Sequence, residues 1–260
     1  MHLDYSLPLL SLRWIVVWKR HFYVWRKVLG PSLLGNFGEP LLYLLALGYG
    51  LGGMVGPVQG MDYMAFLATG IICSSAMNTA TFEGMYAAFT RLAMQRTWDA
   101  MLAAPLTLDD IVIGEIMWCA TRSMVSCAAI FVVAAFLSSV QWSAFVPVMA
   151  LVFIAGFCFG AMALVVTAFA KNYDFFLYYF TLVITPLMLL SGVFFPLDSM
   201  PPWIQWAAHV LPLSHAVNIA RPLMIGTPLD DALLHISVIM AYGIAATYIA
   251  IVLMRRRMLV

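Results

Sequence analysis

The sequence contains very little charge. Only 10% of its 260 residues are Asp, Glu, Lys or Arg, whereas 64% are hydrophobic and the mean hydropathy is +0.95. Soluble domains of this size carry about 25% charged residues, so this chain has too few to cover a surface that faces water. This shortage excludes a soluble enzyme, a disordered protein and a secreted scaffold held by disulfides. The chain is an integral membrane protein.

Motifs for catalysis and metal binding are also missing. None of the three lysines follows a glycine, so the chain lacks the phosphate-binding loop GxxxxGK[ST] and is not expected to hydrolyse ATP by itself. It contains no HExxH or GxSxG motif, and its five histidines are scattered. The four cysteines lie in apolar runs without a CxxC pair, which predicts packing residues. No bound cofactor or metal is expected, although a membrane enzyme stays open as an alternative.

Long stretches without charge follow one another along the chain. In lipid only helices and closed barrels satisfy the backbone polar groups, and continuous rather than alternating apolar residues favour helices. A spanning helix needs about 20 mostly apolar residues. The uncharged window 123–170 is too long for one helix and is broken at Ser138, Ser139 and Gln141, so it is divided in two. Six spans are predicted, at 31–54, 63–89, 110–137, 143–170, 175–195 and 232–254.

The positive charges between these spans predict the orientation. Lys and Arg collect on the cytoplasmic side of membrane proteins. With six spans, one side holds eleven such residues and the other holds only Arg221. The eleven are Arg13, Lys19, Arg20, Arg26, Lys27, Arg91, Arg96, Lys171, Arg255, Arg256 and Arg257. Both termini are therefore predicted to be cytoplasmic, and a seventh span at 199–220 is rejected because it would move the C-terminal arginines outside.

Three further segments are predicted to be helical without spanning the membrane. Residues 6–28 place aromatic side chains on one helical face and basic ones on another, which is typical of a helix in the headgroup layer. Residues 91–104 are mostly good helix formers that stop at Pro105. The proline-rich segment 196–222 predicts short re-entrant helices at the outer interface. The structural alternatives are a plain anchor, an ordinary loop helix and a folded outer cap.

Four ionisable residues lie in or near the predicted spans, namely Glu39, Glu83, Glu115 and Arg122. Charged groups in membrane helices usually face the helix bundle or a water-filled path. Arg122 follows Glu115 by two helical turns and shares its face. These residues are interpreted as paired structural charges near the inner headgroups. The alternative is a proton relay or substrate contact, in which Glu39 or Glu115 would be the carrier of a proton-coupled secondary transporter.

Two groups of residues resemble a known family. Around the last two predicted spans stand Leu190-Ser191-Gly192, Phe195-Pro196, Met200-Pro201, Trp203, Pro212-Leu213 and Arg221. Earlier stand Thr81-Phe82-Glu83, Arg91, Gln95-Arg96-Thr97-Trp98-Asp99, Pro105-Leu106, Asp110-Ile111 and Gly114-Glu115. With the order of the predicted helices, the first group resembles the permease subunits of ABC-2 type exporters. The second is similar to the narrower nodulation NodJ subfamily.

This resemblance implies a single transmembrane domain over 1–260, in the bacterial inner membrane, that dimerises with a second copy. Two copies of a separate ATP-binding subunit would hold the ATP and Mg²⁺ and power the outward movement of an amphiphile such as a lipo-oligosaccharide. An ABC-2 drug exporter is the alternative. Contact with lipids is expected and, at a net charge of +1, contact with nucleic acid is not.

The resemblance also implies roles for individual residues. It makes 91–104 the coupling helix that the ATP-binding subunit contacts through Arg91, Gln95, Arg96, Trp98, Asp99, Met101 and Leu102. The expected cargo path runs past Glu83, Gly84, Tyr86 and Phe89. The expected outer gate contains Trp203, Trp206 and Arg221.

Overall fold

A computed structural model describes residues 6–9 and 11–259. The side chains at 31–37, 39 and 259 lie outside this description, and with them the predicted role of Glu39. The helices are α1 (Trp14–Trp25), α2 (Leu29–Val55), α3 (Tyr63–Phe82), α4 (Thr97–Leu102), α5 (Leu108–Leu137), α6 (Phe145–Phe169), α7 (Asp174–Tyr179), α8 (Thr185–Leu190), α9 (Pro202–Ala208), α10 (Pro212–Ile225) and α11 (Ala232–Leu259). No strand occurs within the described ranges, so the predicted all-α class is confirmed.

Some of these helices continue through π turns, which hold more residues per turn than an α-helix. The π turns Glu83–Ala87 and Thr90–Met94 prolong α3, which therefore forms one helical rod over Tyr63–Met94. A third π turn, Phe180–Ile184, joins α7 to α8. The second predicted span is thus longer than the expected 63–89, because the polar residues after Phe89 stay helical instead of starting a new element.

Four helices among the described residues are long and apolar enough to cross a membrane. They are Tyr63–Met94, Leu108–Leu137, Trp142–Phe169 and Ala232–Met258, and they coincide with the second, third, fourth and sixth predicted spans. The apolar helices Pro40–Val55 and Asp174–Leu190, at the first and fifth predicted spans, are shorter. The six-span topology therefore stays a prediction.

The fifth predicted span, 175–195, extends too far at its C-terminal end. The helix stops at Leu190, and Gly192 turns the chain with a positive φ of 74°. The backbone at Val193 then packs directly on Gly70 of α3, where a Cβ atom would come within 2.4 Å of the Val193 carbonyl oxygen. Apolar composition alone continues the helix to 195, whereas this close contact ends it earlier.

The centre of the fold consists of α3, α5 and α6, with α11 packed on α6 and α2 on α3. Small residues allow the closest approach, since a Cβ atom at Gly160 of α6 would lie 2.6 Å from Cys119 Cβ of α5. Close packing through small residues is how helices associate where lipid provides no hydrophobic driving force. All four cysteines are buried and unpaired, in agreement with a packing role.

Candidate functional site

The segment predicted as a single coupling helix over 91–104 is divided in two. The rod that contains α3 continues to Met94, Arg96 then adopts a left-handed conformation with φ 48°, and α4 begins at Thr97. The prediction of one uninterrupted helix was wrong because helix propensity does not reveal this bend. The bend allows Trp98 to point toward α5 instead of away from the bundle.

The side chains predicted to contact an ATP-binding subunit fall into two groups, apart from Arg91. The buried or partly buried group is Trp98, Met101 and Leu102, and the exposed group is Gln95, Arg96 and Asp99. The exposed group is accessible to a partner. The buried group fixes α4 to the bundle.

Glu115 of α5 is the centre of a buried ion network, and its side chain is fully enclosed. Arg91, at the end of the α3 rod, donates two hydrogen bonds to this carboxylate, at 3.0 and 2.6 Å. The indole of Trp98 in α4 donates a third at 3.1 Å, and Nε2 of His21 in α1 lies 3.2 Å from the same Oε1 atom. One carboxylate therefore connects α1, α3, α4 and α5.

Glu83 forms the second half of the network. Arg91 bridges the two halves, because its Nη1 atom donates to Glu83 Oε1 at 3.0 Å. The Trp118 indole donates to the same oxygen at 3.0 Å, and Arg122 Nε donates to Oε2 at 3.4 Å. The acid and base on one face of α5 therefore have different partners: Arg122 pairs with Glu83, and Glu115 pairs with Arg91.

The helix α1 is docked along α5 beside this network. Val17 is buried against Gly114, where a Cβ atom would approach Val17 Cβ to 2.6 Å. The indole of Trp18 donates to Thr121 Oγ1 at 2.9 Å. The tryptophan-bearing face that the sequence assigns to the headgroup layer thus packs partly on protein. This contact links any movement of α1 to α5.

A second polar cluster ties the start of the chain to its end, and the sequence did not predict it. The Arg255 guanidinium in α11 binds Asp109 through Nε and Nη2, with an Nε–Oδ1 distance of 2.9 Å. Arg255 Nη1 also donates to the carbonyl of Ser6 at 3.0 Å, and the Leu9 amide donates to Asp109 at 2.9 Å. From the sequence, Arg255 is one of the positive charges that predict the orientation, and neither its partner nor its burial can be predicted.

The four residues expected along a cargo path have different environments. Gly84 packs on α6, with its Cβ position 2.7 Å from Ala163 Cβ, and Phe89 is buried between Tyr173 and Phe176. Glu83 belongs to the ion network. Tyr86 is partly exposed and lies in an aromatic cluster with Phe82, Phe176 and Phe180. Gly84 and Phe89 are thus packed inside the single chain, and their assignment to the cargo path stays a prediction.

A cavity of about 550 Å³ lies between α2, α3 and the α7–α8 helix. Its lining is Pro40, Tyr43, Ile71, Ser74, Ser75, Asn78, Thr79, Phe82, Phe180, Ile184, Thr185, Met188 and Phe194. The polar side chains come mainly from α3, and the apolar ones mainly from α2 and the α7–α8 helix. A pair of polar residues four apart in an apolar helix, Ser74 and Asn78, is a signal that the sequence offered and that the prediction did not use.

The residues expected at the outer gate are not one group. Trp203 and Trp206 of α9 are 67% and 77% exposed. The Arg221 guanidinium, in contrast, is partly buried and donates to the Gly192 carbonyl at 2.8 Å. It also lies 3.9 Å from the centre of the Phe66 ring of α3. Arg221 therefore holds α10 and the turn after α8 against α3, whereas the tryptophans face outward.

Comparison with known proteins identifies the family. The model of the ABC-2 type transporter family matches residues 13–225. Nodulation protein J of Rhizobium leguminosarum bv. trifolii is 47% identical over 98% of this chain and 97% of its own length, and nodulation protein J of Neorhizobium galegae is 42% identical over 97% of both. The inner membrane transport permease YadH of Escherichia coli is 27% identical over 84% of this chain and 82% of its own length. The chain belongs to the ABC-2 type transporter family and is a multi-pass, NodJ-like permease of the inner membrane.

Proposed function

We propose that the chain crosses the inner membrane six times, with both termini in the cytoplasm. The four long apolar helices provide the second, third, fourth and sixth crossings, and the Asp174–Leu190 helix provides the fifth. The first is α2, whose 27 residues would extend about 40 Å as a straight helix. In this topology eleven Lys and Arg residues lie on the cytoplasmic side and Arg221 alone lies opposite.

The chain works as the transmembrane subunit of an ATP-driven exporter. It carries out no chemical reaction itself, since ATP and Mg²⁺ bind to a separate ATP-binding subunit, and the working unit contains two copies of each subunit. The exposed side chains of Gln95, Arg96 and Asp99 are the contact surface for that subunit. Membership of the ABC-2 family and the exposed polar face around α4 support this assignment.

The Glu115 network is the observation that carries the proposal. When the ATP-binding subunits close, they push on α4, and Trp98 transmits the displacement to Glu115 at the start of α5. Arg91 and His21 pass it to the α3 rod and to α1. Closely packed elements move as units between discrete arrangements, so a small push on α4 shifts several helices together. The subunit thus converts closure of its partner into movement around the cavity.

Reversing the exposed charges is expected to weaken this docking. The double variant Arg96→Glu and Asp99→Lys exchanges the positive and the negative charge on the contact surface. Exposed interface charges mainly affect the rate of association, so we expect the affinity for the ATP-binding subunit to fall about tenfold. The measurement is the amount of ATP-binding subunit that co-purifies with the permease. Lys171→Glu, an exposed charge in another cytoplasmic connection, is the control. The docking assignment would be contradicted if the wild-type permease, the double variant and the Lys171→Glu control all retained equal amounts of the ATP-binding subunit.

The proposed cargo is an amphiphile that carries an oligosaccharide on a lipid, and its path includes the cavity between α2, α3 and α7–α8. The polar stripe of Ser74 and Asn78 is suited to hydroxyl groups, whereas Phe180, Ile184 and Met188 are suited to an acyl chain. A site that is polar on one wall and apolar on the other fits such a molecule.

Replacing Asn78 by leucine is expected to lower export of the oligosaccharide cargo about tenfold, since a lost hydrogen bond to a polar group leaves about 1–2 kcal/mol uncompensated. The partly buried Asn78 can be enlarged without disturbing the centre of the bundle. The measurement is transport into inverted vesicles at equal protein content. Asn172→Leu, in the exposed connection after α6, should transport normally. Unchanged transport by Asn78→Leu would remove the cavity from the path.

The whole proposal is tested by reconstitution with a candidate ATP-binding subunit in sealed vesicles. Transport of a lipo-oligosaccharide should require both proteins and ATP, and it should survive collapse of the proton gradient. Transport that instead proceeds without the ATP-binding subunit and stops with the gradient would show a proton-coupled secondary transporter. Transport of unrelated hydrophobic drugs, with no response to the lipo-oligosaccharide, would favour a drug exporter.

A further inference from the structure

A basic cavity of about 390 Å³ lies beside the ion network, between α1, the end of the α3 rod and α5. Three arginines line it, namely Arg20, Arg91 and Arg122, together with the rings of Trp25 and Trp118. Its only lining carboxylate among the described residues is Glu83. The cavity therefore has an excess of positive charge at its wall.

Arg20 is the source of this excess. Arg91 is neutralised by Glu115 and Glu83, and Arg122 donates to Glu83. The guanidinium of Arg20 has no carboxylate within ion-pair distance in the described part of the chain, and it lies 3.3 Å from the Nδ1 atom of its neighbour His21. Burial and the positive charge of Arg91 lower the pKa of Arg20, and the attraction of Glu115 opposes this only in part.

The rim of the cavity is apolar on the side of α1. Val24 and Val28 line the cavity and are 54% and 53% exposed. A cavity lined by a guanidinium and by exposed apolar side chains matches a molecule with an anionic head and a hydrocarbon tail. In the proposed topology this position lies at the cytoplasmic headgroup layer, where anionic lipids are enriched and where basic pockets between membrane helices bind lipid head groups.

We propose that this cavity binds the phosphate of an anionic phospholipid, with Arg20 as its main ligand and an acyl chain along Val24 and Val28. The planar fork of a guanidinium is suited to two phosphate oxygens at once. The bound lipid would hold α1 on α5 next to Arg91 and Arg122. The site depends on the proposed topology but on neither the cargo nor the ATP-binding subunit, so its failure leaves the transport proposal intact.

The test uses the full-length chain in neutral detergent, titrated with phosphatidylglycerol or phosphatidylcholine and examined by native mass spectrometry. The wild-type chain should bind phosphatidylglycerol about tenfold more tightly, an ordinary difference for one charge-assisted phosphate contact. Arg20→Gln should lose this preference. Lys19→Gln, the same charge change at an exposed adjacent position of α1, should keep it.

Three results would overturn the site. One is a wild-type chain that binds both lipids equally, and another is an equal loss of preference in both glutamine variants, which would indicate diffuse attraction to basic residues. The third is displacement of phosphatidylglycerol by inorganic phosphate at equal concentration, which would assign the cavity to a soluble anion. If Arg20→Gln does not fold, Arg20→Lys takes its place: weaker but still selective binding supports the site, and undiminished affinity overturns it.

Discussion

The variant Glu115→Ala is expected to lose coupled transport and about 3–5 kcal/mol of stability, the usual cost of removing one partner of a buried ion pair. Arg91 would keep a buried guanidinium with only Glu83 to bind, and the Trp98 indole would lose its acceptor. Hydrolysis by the ATP-binding subunit should continue at its basal rate. Export should fall by about tenfold or more, because closure of the partner would no longer reach α5.

Two companion variants separate stability from coupling. Glu115→Gln keeps an acceptor for Trp98 but removes the charge, so it should fold better than the alanine variant and still export poorly. Asp174→Ala removes an exposed carboxylate at the start of α7 and should behave as wild type. The measurements are unfolding in mixed micelles and transport per ATP hydrolysed. Normal transport per ATP in Glu115→Gln would refute the role of the network in coupling.

The second large effect is expected for Arg255→Ala. This change leaves the buried carboxylate of Asp109 without its cation, at a cost of about 3–5 kcal/mol. It also releases the contact with Ser6, so the N-terminal segment should become a target for proteases. Limited proteolysis of membrane vesicles and unfolding in micelles measure the two consequences.

The neighbouring residue provides a matched control for this variant. Arg256 is exposed, so Arg256→Ala removes the same charge from the same helix end with an expected change within about 0.5 kcal/mol. Any effect of the C-terminal charge on membrane orientation would be common to both variants. If they unfold at the same denaturant concentration, the clamp between Arg255 and Asp109 contributes no stability.

The long helices were predictable because their signal is one of composition. Four of the predicted spans coincide with helices that are long and apolar enough to cross a membrane. The sequence also predicted that the acids in or near the spans would be paired with positive charges, and Glu83 and Glu115 are paired with Arg122 and Arg91. Its errors in the fold lie at the ends of elements, as after Leu190, where the close contact of the Val193 backbone with Gly70 ends the helix and hydropathy carries no information.

The candidate site was less predictable, since it depends on which distant residues meet. Trp98 stands in a stretch of helix-forming residues and was predicted to contact a partner, yet the bend at Arg96 directs it to Glu115. His21 of α1 and Trp118 of α5 complete the network, and no local pattern marks either of them. Helical spacing correctly put Glu115 and Arg122 on one face, but it did not identify their partners.

The two π turns in the rod over Tyr63–Met94 determine where that rod deforms most easily. A π turn accommodates one more residue than an α turn and aligns its hydrogen bonds less well, and such turns occur often at functional sites. The first begins at Glu83, and the second contains Arg91, the arginine that joins the two acids, at the end of the rod nearest α4. A push applied there would change the local winding first, and the half of the rod that lines the cavity between α2, α3 and the α7–α8 helix would then turn as one stiff piece.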